Sequence, residues 1–398
     1  SDNQNNTNQA ATANFYFAEY QYQKMWENQF TLTTGITTSY TDVVSQLYGN
    51  HTSNNIASFI QGDKKWDKVT LSGGMRFEYY RIDSVSTEGK FFLFNDPIPF
   101  QPVFRVGATY NPMEYTFIRA SYGQGYRFPS IAEKYISTFV GGLNIFPNNN
   151  IQPEYGWSAE LGIKQGFKIK NFQGYLDVSA FLTQYEDMME FTFGFYNTDG
   201  SDISYAELFQ IIGGDLSKIE EFLGARSTNI QNANIPGMEI SIVGQGDIGE
   251  ITLTTLAGYT YINPTAINPD SAYLSTFSDP ELETLKYRNK HMAKIDFQLD
   301  YKKFAYGTSV RYASFMENVD DVFTRPIVGT IEILPGYGPY RDARRTGDIV
   351  CDARLSYGVT KTSRLSLLMN NVFNREYSNR PGNVMPPRTI ICQYTLRF

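Results

Sequence analysis

The sequence predicts an all-β protein, a transmembrane antiparallel β-barrel, on three observations. Apolar and polar residues alternate with period two in segment after segment. The alternating segments run about 10–15 residues, against about 5–6 for an ordinary strand. Their connections switch between tight turns and long loops. Period two puts successive side chains on opposite faces, and long strands with one apolar and one polar face fit a bilayer-spanning barrel with a wet interior. A soluble sandwich buries its apolar faces against each other and does not need such length.

Each strand follows from its alternation. In residues 292–301, Ala293, Ile295, Phe297, Leu299 and Tyr301 face one way, and Lys294, Asp296, Gln298 and Asp300 the other. Trp157, Ala159, Leu161 and Ile163 oppose Ser158, Glu160, Gly162 and Lys164. Leu176, Val178, Ala180 and Leu182 oppose Tyr175, Asp177 and Ser179, and Cys392, Tyr394, Leu396 and Phe398 oppose Gln393, Thr395 and Arg397. The pattern predicts about 15 strands, over residues 13–24, 27–41, 53–65, 68–82, 101–111, 114–124, 154–168, 171–193, 228–245, 250–262, 287–301, 304–316, 346–358, 363–375 and 387–398. Tight turns are expected near 65–67, 111–113, 168–170, 246–249, 301–303 and 359–362, and long connections over 83–100, 125–153, 194–227, 263–286, 317–345 and 376–386. Helical spacing of Asp202, Ala206, Leu208, Ile211, Leu216, Ile219, Phe222 and Leu223 predicts short helices within 202–224. Bacterial outer-membrane barrels keep short turns in the periplasm and long loops outside, which places Phe398 at the periplasmic rim.

Composition agrees. The 398 residues are 41% apolar and 19% charged. No uninterrupted apolar run approaches the roughly 20 residues a membrane helix needs. Aromatics reach 15%, with 29 Tyr and 29 Phe, too many for a disordered chain. Tyr79, Tyr80, Tyr110, Tyr122, Tyr126, Tyr259, Tyr261, Tyr301, Tyr306 and Tyr312 bracket the strands, as interface girdles do. A net charge of −7 gives nucleic acid nothing to bind. Only His51 and His291 are available for His-dependent metal binding or catalysis, so no catalytic residue, metal or cofactor is assigned. The GxGxxG match at 244–249 is followed by another strand and not a helix, and reads as a tight turn. Cys351 and Cys392 are separated by an intervening strand, beyond disulfide reach, and read as free thiols facing lipid. Glu186, Asp187, Glu190, Asp320 and Asp321 read as solvated loop carboxylates before a calcium site. Inward charges, among them Arg76, Glu78, Glu160, Lys164, Asp177, Glu239, Lys294, Asp296 and Arg354, are expected to pair with each other or with whatever fills the barrel.

The ligand-facing candidates are Tyr126, Arg127, Tyr337, Tyr340, Arg341 and Arg345, with Arg344 beside them, in or next to long outer loops. Arginine among tyrosines suits an anionic ligand such as a ferric chelate or charged glycan. Pairing with lipopolysaccharide or acidic loops is the competing reading.

The stretch TFIRASYGQGYRFPSIAEKY at 116–135 resembles the central barrel signature of TonB-dependent outer-membrane transporters, in particular those of Bacteroidetes. PEYGW at 153–157, ELGIK at 160–164, NIQNANIPGME at 229–239, AGYTY at 257–261, YRNKH at 287–291, NNVFNREY at 370–377 and the closing strand 387–398 extend it in order. The resemblance implies a barrel of about 22 strands around an amino-terminal plug, of which this chain supplies the carboxy-terminal part. Strand parity points the same way: counted back from Phe398, the first strand runs inward, so its start lies outside the cell, whereas a single-chain barrel begins in the periplasm. The expected layout is a flexible extracellular loop remnant over 1–12 and barrel over 13–398, with plug and first strands on a companion chain. The implied function is TonB-driven import of a scarce nutrient of siderophore, haem or vitamin size, or of a glycan or peptide, with TonB acting through the plug. The wall would contact the bilayer and lipopolysaccharide. The alternatives are a passive porin-like or hydrophobic-solute channel, and a structural or adhesive barrel partnering a surface lipoprotein.

Overall fold

A computed structural model describes residues 10–86, 88–89, 98–140, 143–230, 232–269, 271–327 and 332–398. The chain forms two compact units, residues 1–108, 121–158 and 184–233 in one and 109–120, 159–183 and 234–398 in the other. Among the described residues, seventeen strands belong to one large antiparallel sheet, and no helix is long and apolar enough to cross a membrane.

All fifteen expected strands form. In the first unit Ala11–Met25, Phe30–Ser45, Gly49–Lys65 and Val69–Ile82 build a four-stranded meander. Thr37, Ala57 and Glu78 share one row on its polar face. On the other face Ile36, Ile56, Ile60 and Leu71 are exposed. In the second unit Ala233–Ile248, Ile251–Ile262, His291–Tyr301, Phe304–Ala313, Asp348–Gly358, Ser363–Asn370 and Thr389–Leu396 pair in succession. Ile295, Leu355, Leu367, Ile390 and Tyr394 stand exposed on the apolar face there. Water would not favour such a surface, and a hydrocarbon environment does.

The short turns join the expected strands, although the one expected at 111–113 falls at Glu114 and Tyr115, because the strand Gln101–Met113 runs through its expected place. Gly249, in the GxGxxG segment, takes φ of 64° between the paired Ile248 and Ile251, a left-handed conformation that glycine adopts without strain. Both cysteines are free, with Ser363–Asn370 between their strands.

Two expected strands need correction. The segment 171–193 divides into Phe172–Glu186 and Met189–Phe195, and the stretch before Ala233–Ile248 holds a separate strand, Leu223–Asn229. Met189–Phe195 and Leu223–Asn229 leave the large sheet and pair with each other, joined by Leu143–Phe146 and Thr138–Val140 in a sheet of four. Between them the short helices Tyr205–Ile212 and Leu216–Glu221 bury Leu208, Ile212 and Ile219. Asparagine 144 closes this subdomain, donating to the Glu220 and Leu223 carbonyls at 2.7 and 3.0 Å.

The polar faces largely neutralise themselves. In the second unit Arg119 bonds Glu160 on the neighbouring strand, which also carries Gly162, and reaches across that strand to Asp177, each at 2.8 Å. A Cβ on Gly162 would sit 2.6 Å from the Arg119 guanidinium carbon. Arg354 repeats the device, crossing Gly307 on the intervening strand to form a two-pronged contact with Asp296 at 2.9 and 3.0 Å. Such paired, planar contacts are the stronger class of hydrogen bond.

Candidate functional site

In the first unit the strand Thr116–Arg127 ends where Pro129 forces an extended backbone. Ser130 then starts the helix Ile131–Tyr135 with a reciprocal capping box to Glu133. Arg127 donates to Glu133 and lies 3.6 Å from Glu154, so it clamps this helix to the strand Glu154–Ile169 and its charge is spoken for. Burial raises the Glu133 pKa, but the Arg127 contact and the Ser130 amide outweigh it and hold the carboxyl below its ordinary value. On the helix's last residue, Tyr135, His51 stacks at 3.8 Å and 7°, and its Nδ1 lies 2.8 Å from Asp83.

Tyr126, the other candidate here, lines a cavity of about 460 Å³ with Arg76, Glu78, Tyr80, Arg105 and Phe128. Tyr80 and Phe128 stack at 4.7 Å and 8°, and Tyr126 tilts against Phe128 at 4.9 Å. Tyr80 and Tyr126 are thus cavity-wall residues and not girdle residues; Tyr110, Tyr301 and Tyr306 do stand exposed on the apolar side. Glu78 accepts from Arg76 at 2.7 Å and from Asn55, and Arg76 also reaches Thr37 at 3.1 Å. Arg105 is exposed and makes no ion pair among the described residues.

In the second unit Tyr337, Tyr340 and Arg341 lie on the helix Tyr337–Asp342, with Arg345 just after it. They border or adjoin a cavity of about 440 Å³ that Asp279, Glu317, Arg325, Arg341, Asp342 and Arg345 line with balanced charge. Arg341 donates to the Met316 and Glu317 carbonyls at 2.7 and 2.6 Å and packs 4.1 Å over Phe315. Arg345 pairs with Asp342 at 2.8 Å. Tyr337 stacks near Tyr340 at 6.3 Å, and Arg344 covers Tyr340 at 4.0 Å while meeting Glu376 at 3.3 Å. Arg341 and Arg344 join separate loops, and Arg345 pairs within its own segment.

Below them Asp320 corrects its reading as a solvated carboxylate. It is fully buried, paired with the equally buried Lys286, and accepts the Tyr287 hydroxyl. Lys286 also donates to Thr276 at 3.0 Å and sits 5.3 and 5.5 Å from the Tyr273 and Phe277 rings. Burial, then the Asp320 charge, pushes the Tyr287 phenol well up. The pair ties the loop before His291 to the loop after Ala313. Sequence reasoning had no signal for this, because charge does not declare burial. Arg105 did leave one: Val103, Arg105, Gly107 and Thr109 alternate against Phe104, Val106, Ala108 and Tyr110.

Comparison with known proteins agrees with this architecture. Residues 1–374 match the family model for the TonB dependent receptor-like β-barrel. A curated relative, the hemoglobin and hemoglobin-haptoglobin-binding protein A of Haemophilus influenzae, is 29% identical over 146 residues, 37% of this chain and 12% of that protein. The hemophore receptor HasR of Serratia marcescens, solved with its hemophore HasA and heme, superposes with a TM-score of 0.63 at 14% identity, covering 98% of this chain and 59% of its own. The ferric-catecholate import receptor Fiu of E. coli K12 gives 0.65 at 16% identity, with 98% and 55% covered. The chain therefore spans under two thirds of these solved relatives. It belongs to the TonB-dependent receptor family, as part of the β-barrel by which those proteins are integral to the bacterial outer membrane.

Proposed function

We propose that this barrel wall serves TonB-driven import of iron, carried as haem or as a siderophore-sized chelate, across the outer membrane. The observation that carries the reading is the family match over 1–374, and the hemoglobin-binding relative supports haem over other cargo. The faces fit the task. One is apolar for lipid; the other is polar yet internally paired, so it lines a wet path without leaving many bare charges to trap cargo. The long loops present ligand contacts outside the cell, and the chain itself carries out no covalent chemistry.

The end strands Ala11–Met25 and Thr389–Leu396 are exposed at every position. Backbone groups unpaired in lipid cost several kcal/mol each, on the order of a lost hydrogen bond or more. We infer that further strands pair with these two edges and complete the barrel around the plug through which TonB acts. Import is tested by uptake of radioactive iron as hemin in cells with and without TonB. Uptake that persists undiminished without TonB would reject active import in favour of a passive channel.

A further inference from the structure

We propose that the cavity beside Tyr126 binds a flat aromatic ligand bearing carboxylates, with Arg105 as its anion-binding residue. The inference rests on the import reading and names the ligand chemistry of this part of the wall.

Charge is the first ground. The cavity's charged lining residues are Arg76, Glu78 and Arg105. Arg76 and Glu78 neutralise each other at 2.7 Å, which leaves one net positive charge, on an exposed guanidinium with no partner among the described residues. A guanidinium grips a carboxylate with two parallel hydrogen bonds and stacks on aromatic planes. The second ground is shape. Tyr80 and Phe128 present nearly parallel faces, with Tyr126 tilted against Phe128. A planar ring system extends such a stack, and each aromatic pair contributes about 0.5–1.5 kcal/mol beyond its buried area.

Space is the third. Gly125 lines the cavity, and a Cβ built on it meets nothing within 4 Å. Its backbone does not require glycine, since it is absent from the positive-φ residues. The missing side chain keeps the chamber open, and at about 460 Å³ it falls within the size range of small-molecule sites. The cavity of the second unit fails the first of these grounds, because Arg325, Arg341 and Arg345 are all engaged.

The test uses the complete receptor, purified from outer membranes, with hemin as the flat dicarboxylate probe and a neutral, non-aromatic ferric trihydroxamate as comparison. Arg105→Gln should weaken hemin binding at least tenfold. Gly125→Leu, which fills the chamber and leaves every charge in place, should do the same. Both should leave trihydroxamate binding within twofold and keep the heat-modifiable gel mobility of a folded barrel. Lys361→Gln, in an exposed short turn, should leave hemin binding within twofold. Hemin affinity within twofold of the parent in both cavity variants would overturn the assignment, as would an equal loss in Lys361→Gln. Failure of the parent to bind hemin, with TonB-dependent uptake of another iron complex intact, would overturn the ligand class and spare the import reading.

Discussion

The cavity at Tyr126 and the loop cluster at Arg341 look alike in the sequence, each an arginine among tyrosines, and they are built for opposite ends. Around Arg341 every arginine has found a carbonyl, a carboxylate or a ring. Around Tyr126 the conspicuous Arg127 is a clamp, and the uncommitted cation is Arg105, 22 positions upstream in a strand. Neighbouring tyrosine does not separate an arginine with internal partners from one without.

The largest test of this contrast is the buried Lys286–Asp320 pair. Lys286→Met leaves Asp320 as an uncompensated charge in a closed site, which should destabilise the loop cluster by about 3–5 kcal/mol. Limited proteolysis should then cut rapidly within 263–290 or 314–347, while binding at the Tyr126 cavity persists. Uncut loops would mean that the cluster is held by something else.

Next come the bridges over glycine. Gly307→Ala puts a methyl carbon about where the Arg354 guanidinium lies and should cost about 1.5–3 kcal/mol, the range for a charge-assisted hydrogen bond, read as a lower barrel melting temperature. Pairing it with Arg354→Gln gives the sharper form: the two losses should not add, since one contact cannot be lost twice.

A smaller effect is expected at the Arg127 clamp. Glu133→Gln weakens the capping box and the ion pair together, for a loss of about 1 kcal/mol. The pH dependence has a definite sign. Because the folded Glu133 pKa is depressed, its contribution is complete above the unfolded value of about 4.3 and disappears as pH falls through the lower folded value. Parent and variant should therefore converge in stability under acid and separate at neutrality; a gap that widens in acid would contradict the clamp. The smallest effect should be at Arg345→Gln, whose ion pair is largely exposed, with no measurable shift in melting. A tenfold loss of hemin binding there, equal to that of Arg105→Gln, would erase the distinction between the two regions.

Most of the sheet was legible because alternation is a direct imprint of the pleat. The residues at 292–301 could not place Lys294 and Asp296 with Ile295 and Phe297 on one face in any extended chain. Alternation reports extended backbone and nothing about which sheet receives it, so Met189–Phe195 read as a continuation of the strand before it. The site was less legible for a related reason. Asp320 and Asp321 are adjacent and identical in type, yet one is sealed against Lys286 and the other pairs with the exposed Arg325. Only the return of a loop from some 30 residues away decides between them.

The arginines that reach across a glycine leave a mark outside any one molecule. Arg354 depends on Gly307 next door and on Asp296 two strands away. Among homologues these three positions should drift as a set: a lineage that loses the arginine frees the glycine to acquire a side chain, and one that loses the aspartate releases both. Covariation read as simple adjacency would then draw Asp296 and Arg354 together as neighbours and lose a whole strand from the map.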